Sequence, residues 1–291
     1  MIGKTYRALN LDSMFQPLAY PEIEFNSFKF NGGEMSIKLN TKINYSLIDC
    51  VVITTRIKNG DDVMLLMLAV DALKRQGIKD IDLILPYFPY GRQDRVCNAG
   101  ESFSLKVFTK LIDSMGFSGV YTLDNHSIMS TGLLENCYNS SNFELVLRTI
   151  KELDFGSDSF HLISIDAGAS SKINKLADYL LENGVNNFDV IQCNKKRNVT
   201  NGKIEGFEVF SGDLNQIPCL IVDDICDGGA SFIAAANALK EKNAGWLYLF
   251  VSHGIFSRGY NELAEHFKMI VSTNSFADDE NWILKRIKLS W

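Results

Sequence analysis

A chain of 291 residues is long enough for one large or two ordinary domains, and 46% hydrophobic with 22% charged residues lets it fold around its own core without staples. The formal net charge of -6 excludes broad, nonspecific binding to nucleic acid, yet leaves room for a local basic site facing an anionic small molecule. Six cysteines without a C-x-x-C pair, and no apolar run beyond 63–70, point to a reduced cytoplasmic protein with no membrane partner and no disulfide or zinc framework.

Alternating apolar positions from Ile23 to Ile37 predict a hairpin that turns at Asn31-Gly32-Gly33, with Glu34 just beyond it. Cys50 to Thr54 reads as a buried strand, Asp61 to Gln76 as a helix stopped by Gly77, and Ile81 to Leu85 as the next strand. A helix from Ser104 to Ser114 and a strand from Val120 to Leu123 continue the alternation, which implies a largely parallel sheet. Polar residues 139–142 mark a candidate boundary between an N-terminal domain, 1–141, and a C-terminal domain, 142–291, whose last residues can pack back on the first. The second half repeats the grammar, with strands at 160–165, 187–192, 204–210, 219–223, 246–251 and 268–272 and helices at 170–182 and 230–242. Residues 69–74 and 235–240 echo each other, as duplicated domains or two helices of common helix formers would.

Chemistry gathers at three strand ends. The first is Leu220 to Ser231, where an apolar run gives way to Asp223, Asp224 and Asp227, then to Gly228, Gly229 and Ala230, and then to a helix pattern. Glycines let backbone approach a ligand, and free N–H groups at a helix start form an anion seat, so a phosphorylated sugar suits this turn. The same residues also suit an α/β turn in which Asp227 caps the helix and Asp224 is solvated. The second is Pro86 to Arg95, where aromatic rings and two arginines leave a strand end. The third, Cys193 to Asn198, is a basic cluster that reads by itself as an exposed hairpin or moving loop.

Tyr87-Phe88-Pro89-Tyr90-Gly91-Arg92-Gln93-Asp94 resembles the Tyr-Phe-x-Tyr-Ala-Arg-Gln-Asp signature of ribose-phosphate pyrophosphokinases, also called phosphoribosyl pyrophosphate synthetases. Further segments resemble that family in order across nearly the whole chain. They are Phe30 to Glu34 (the adenine turn, with Gly32 for an aspartate), Asp124-Asn125-His126, Asp166-Ala167-Gly168, Ser252 to Ser257, and the sugar-phosphate loop from Asp223 to Ser231. The fold implied by the resemblance is α/β: two tandem type I phosphoribosyltransferase-like domains, each a largely parallel sheet flanked by helices.

The activity implied is transfer of the β,γ-pyrophosphate of Mg-ATP to the anomeric hydroxyl of ribose 5-phosphate. Phe30, Glu34, Arg92 and Gln93 would then bind ATP, His126 and Asp166 would contact Mg²⁺, and Lys195 and Arg197 would be catalytic. Asp223, Asp224, Asp227, Gly228, Gly229, Ala230 and Ser231 would hold the sugar phosphate and its cation. A homo-oligomer with a shared ATP site is implied as well. Two alternatives stay open: the same transfer onto ADP-ribose, and a non-catalytic regulatory homologue. The chain departs from the family at Gly228, Gly229 and Ala230, where lost hydroxyls imply a weaker grip and more room. His161 and His266 read as ordinary histidines, and His253 as scaffolding.

Overall fold

The computed structural model describes residues 4–153, 155, 159–165, 167–197 and 204–291; the side chains of 167, 195–197, 204 and 205 are outside the description. The chain divides into two compact units, residues 1–141 with 288–291, and residues 142–287. No helix among the described residues is long and apolar enough to cross a membrane.

The first unit contains β1 (Tyr6–Asn10), the hairpin β2 (Phe25–Lys29) and β3 (Met35–Leu39), β4 (Cys50–Thr54), α1 (Gly60–Arg75) and β5 (Asp80–Ile84). It continues through α2 (Ser104–Ser114), β6 (Gly119–Leu123), α3 (Ile128–Leu133) and β7 (Cys137–Ser140). Its main sheet runs β1-β4-β5-β6-β7 with every pair parallel. The strand β4 is buried along its whole length, as a strand covered on both faces should be, and shows no alternation to read. At the start of α1 the Asn59 side chain accepts from the Asp61 and Asp62 N–H groups, while the Asp62 carboxylate accepts from the Asn59 N–H at 3.0 Å. This reciprocal cap satisfies donors that the first turn leaves unpaired.

The second unit runs α4 (Phe143–Glu152), β8 (Phe160–Ser164), α5 (Ala167–Glu182), β9 (Phe188–Arg197), β10 (Ile204–Val209) and β11 (Cys219–Cys226). It ends with α6 (Ala230–Glu241), β12 (Leu247–Gly254), α7 (Asn261–Ala264), β13 (Met269–Thr273) and β14 (Leu284–Ile287). The sheet order is β10-β9-β8-β11-β12-β13-β14, and within it only the β9/β10 pair is antiparallel.

Several elements depart from the sequence reading. The strands β1, β7 and β14 and the helices α3, α4 and α7 were not foreseen: all but α4 are too short to carry much periodicity, whereas α4 is ten residues long and amphipathic, burying Val146, Leu147, Thr149 and Ile150. The strand expected to stop at residue 223 continues to Cys226, so Asp223 and Asp224 belong to the strand and the turn begins later. Of the two readings of the basic segment, hairpin or moving loop, the antiparallel pairing of β9 with β10 matches the hairpin, with strand through Arg197 and Lys195 opposite Phe207. Asp227 does not cap the helix: the N-cap of α6 is Gly229, and Asp227 accepts a 2.6 Å hydrogen bond from the Ser257 hydroxyl.

The strand β14 contributes Arg286, a buried guanidinium that donates to the carbonyls of Gly254 at 3.1 Å and Thr273 at 3.2 Å and pairs with Asp279 at 2.9 Å. It lies 5.2 Å from the ring centroid of Phe256, a residue held at a left-handed φ of 49°. Removing the guanidinium from such a buried network costs about 3 kcal/mol, since the Gly254 and Thr273 carbonyls lose their donor, whereas the half-exposed Asp279 returns to solvent. Arg286→Ala is therefore expected to lower unfolding stability by about that amount in urea titration. A change within about 0.5 kcal/mol, the range of ordinary surface substitutions, would show the network to be dispensable.

Candidate active site

In the first unit the turn after β5 carries Arg92 and Gln93, both exposed. Tyr90 before them has a φ of 61°, and the Gln93 N–H closes the turn on the Tyr90 carbonyl at 2.9 Å. The neighbouring strand β6 ends at Leu123, and Asp124, at a φ of 46°, turns the chain toward His126. Two left-handed non-glycine residues on adjacent strand ends mark stored backbone strain, which clusters at binding sites.

The two segments are tied together. The Ser127 hydroxyl donates to Asp94 Oδ2 at 2.8 Å, and Arg95 Nε lies 2.9 Å from Asp94 Oδ1. The hydrogen bond from Arg95, then that from Ser127, holds the Asp94 carboxyl below its usual range. Gly91 is backed by His126, whose Cβ lies 3.5 Å from the place a side chain on Gly91 would start. Arg92, Gln93 and exposed His126 are thus brought to one strand-end cluster. The sequence reading missed Asp94 as its anchor, although the Arg-Gln-Asp motif contains it.

Phe30 and Glu34 stand elsewhere. Phe30 is 54% exposed and packs edge-on against Phe28 at 4.8 Å. Its backbone pairs with Glu34 across the hairpin turn at 2.9 Å. Among the described residues neither is joined to Arg92, Gln93 or His126 by a hydrogen bond or ring contact. Glu34 Oε2 lies 2.6 Å from where a Cβ on Gly32 would be, so the glutamate folds over the position at which this chain lacks the family aspartate.

In the second unit, β11 pairs with β8 only through Ile221, while its pairing with β12 continues to Cys226. Among the described residues, one edge of β11 therefore has no strand partner from Val222 onward, where the carboxylates begin. Asp224 is buried, and its N–H donates to Asp223 Oδ1 at 2.9 Å. Burial, reinforced by the Asp224 charge, pushes the Asp223 carboxyl up to about 8, against which the Lys172 charge on α5 acts weakly. Lys172 carries no motif signal; only the helix docking beside β11 makes it relevant. A carboxyl whose ionisation the fold opposes, beside the buried Asp224 carboxylate, is suited to a cation or to sugar hydroxyls.

The chain then turns through Gly228 into α6. Gly229 has a φ of 80°, and an added Cβ would meet Leu263 at 3.1 Å, so both conformation and space require glycine there. Gly228 has neither restriction, but its open side is filled by the Arg258 side chain, with Nε 3.4 Å from the would-be Cβ. The extra room expected at this turn is thus occupied. Ala230 and Ser231 open α6, and the next N–H, that of Phe232, donates to the Gly229 carbonyl at 2.9 Å.

Asp166 lies outside the described residues, as do the side chains of Lys195 and Arg197, whose backbone ends β9. Among the described residues no three His, Cys, Asp or Glu side chains are grouped as a metal site.

Comparison with known proteins accounts for this pattern. The family model described as the N-terminal domain of ribose phosphate pyrophosphokinase matches residues 7–116, and the phosphoribosyl synthetase-associated domain matches residues 191–289. A ribose-phosphate pyrophosphokinase of Mycoplasmopsis pulmonis is 30% identical over 257 residues, 88% of this chain and 77% of the relative. One of Bradyrhizobium diazoefficiens is 32% identical over 231 residues, 78% of this chain and 69% of the relative. In fold, the crystal structure of phosphoribosylpyrophosphate synthetase from Mycobacterium smegmatis matches with a TM-score of 0.80 at 23% identity, covering 98% of this chain and 94% of that one. Two domain matches in the family's order, and relatives alike over most of both lengths, place this chain in the ribose-phosphate pyrophosphokinase family.

Proposed function

We propose that the chain transfers the β,γ-pyrophosphate of ATP to ribose 5-phosphate. The anomeric hydroxyl oxygen attacks the β-phosphorus and gives up its proton to solvent, the bridge to the α-phosphate breaks, and AMP leaves with the bridging oxygen as phosphoribosyl pyrophosphate forms. The observation that carries the reading is the carboxylate pair on β11 running into the glycine turn at the start of α6, in a chain with this family membership.

Asp223 and Asp224 orient the ribose hydroxyls, and residues 228–231 receive the 5-phosphate on backbone N–H groups. Arg92 and Gln93 hold ATP, Arg92 through a planar fork suited to phosphate oxygens. Lys195 and Arg197 stabilise charge on the transferring group. Asp223, Asp224 and Asp227 would offer hard oxygen donors to a Mg²⁺ ion on the acceptor side, and His126 and Asp166 would contact the Mg²⁺ that accompanies ATP, where the ion would supply positive charge against phosphate oxygens. The exposure of the Phe30 turn supports service to ATP of a neighbouring copy in a homo-oligomer.

An AMP-release assay with ribose 5-phosphate, ADP-ribose and unphosphorylated ribose tests the reading. Magnesium-dependent release with ribose 5-phosphate is expected, with none from ribose alone. Release only with ADP-ribose would move the acceptor assignment, and no release with any acceptor would favour a non-catalytic homologue.

A further inference from the structure

The glycine turn and the segment after β12 are stitched together by backbone. The N–H groups of Ile255 and Phe256 donate to the Cys226 carbonyl at 2.9 and 3.2 Å, and that of Ser257 donates to the Asp227 carbonyl at 3.1 Å. The Ser257 hydroxyl adds its bond to the Asp227 carboxylate. The next residue, Arg258, is thereby held over Gly228, with Nε, Cδ and Cγ at 3.4, 3.5 and 3.8 Å from the position of a Cβ there.

Arg258 is exposed, and among the described residues it takes part in no hydrogen bond or ion pair. A long cationic side chain spared any carboxylate, although Asp227 is close in the fold, keeps its donors available. A threonine at position 228 would offer one hydroxyl donor; a guanidinium offers five N–H donors in a plane that matches two phosphate oxygens at once. The bare Gly228 makes the close approach of the arginine stem possible.

We propose that Arg258 binds the 5-phosphate of the acceptor, replacing the side-chain donor that Gly228 lacks. This rests on the reading of the glycine turn as the acceptor-phosphate seat. The consequence for specificity follows from charge. A terminal phosphate monoester presents a dianion to the fork, so Arg258 favours ribose 5-phosphate over an acceptor whose phosphate continues into a diphosphate bridge.

The test is calorimetric titration of ribose 5-phosphate with Mg²⁺ into wild type, Arg258→Ala and Arg258→Lys, alongside AMP release and the KM for each substrate. Loss of a charge-assisted contact predicts at least about a tenfold weaker Kd for ribose 5-phosphate in Arg258→Ala. The lysine variant should fall between, because it keeps the charge and loses the fork. The KM for ATP should stay within about twofold. If wild type turns over and Arg258→Ala binds ribose 5-phosphate as tightly, the inference fails while the functional reading stands. If wild type binds ribose 5-phosphate but releases no AMP, and Arg258→Ala loses the binding, the inference stands and the reading fails. Wild type that does not bind ribose 5-phosphate overturns both, and a KM effect confined to ATP overturns the acceptor assignment of Arg258.

Discussion

Lys195→Ala and Arg197→Ala are each expected to reduce turnover by about two to three orders of magnitude, with much less effect on ATP binding. That is the usual cost of losing a charge contact made mainly in the transition state, equivalent to about 3–4 kcal/mol. The charge of a transferring phosphoryl group spreads over several oxygens as the bonds loosen, so a lysine point charge and an arginine fork both have something to hold. The backbone supports placing these two residues on one working element. The strand β9 runs to Arg197, and its pairing with β10 sets Lys195 opposite Phe207 and Arg197 opposite Ile204, with a register shift between Ile204 and Gly206. A two-stranded antiparallel ribbon at a sheet edge is a suitable carrier, because it projects charges without disturbing the parallel core. Single-turnover AMP release separates chemistry from binding. If both variants keep near-normal rates, the ribbon is ordinary surface and the catalytic assignment is wrong.

Asp223→Asn is expected to weaken acceptor binding by about tenfold or more and, unlike most binding-site losses, to stabilise the ligand-free protein at high pH. The carboxyl has a folded pKa pushed up to about 8 by burial and the adjacent Asp224, against a usual value of 3.8. A raised folded pKa means that the folded state holds the proton more tightly than the unfolded chain. The associated stability is therefore fully present below about pH 4 and is lost as pH rises through about 8. Asparagine has no charge to bury and escapes that loss. Thermal unfolding in a chelator should show Asp223→Asn several degrees more stable than wild type at pH 8.5, with the gap closing toward pH 4. The alternative in which Asp224 is solvated is corrected here, since Asp224 is buried within β11. Calorimetry across a magnesium titration reads the binding arm. An unchanged acceptor affinity would remove the pair from the site, and a pH-independent stability difference would show that the carboxyl ionises normally.

Much of the fold was legible because it is locally encoded. The hairpin at Asn31-Gly32-Gly33, the buried strand 50–54 and the helix 104–114 all stand where alternation, apolar runs and helical spacing put them. The strand-end motifs were legible for the same reason. Each is contiguous, so its aromatic, basic, acidic and glycine residues are neighbours before the chain folds.

What the tertiary structure decided depends on residues far apart in sequence. β11 continues through Asp223 and Asp224 to Cys226 because β12 extends beside it to Gly254, a partner that no local pattern announces. Asp94 becomes an anchor only when β6 brings Ser127 to it. Residues 288–291 belong with the first unit, where the Trp291 N–H reaches the Pro17 carbonyl at 3.0 Å. Arg258 lies over Gly228 because hydrogen bonds from 255–257 to 226–227 join two turns about thirty residues apart, and composition carries no record of such a pairing. Local chemistry is written along the chain, whereas proximity between distant turns arises from the sheet that aligns their strands.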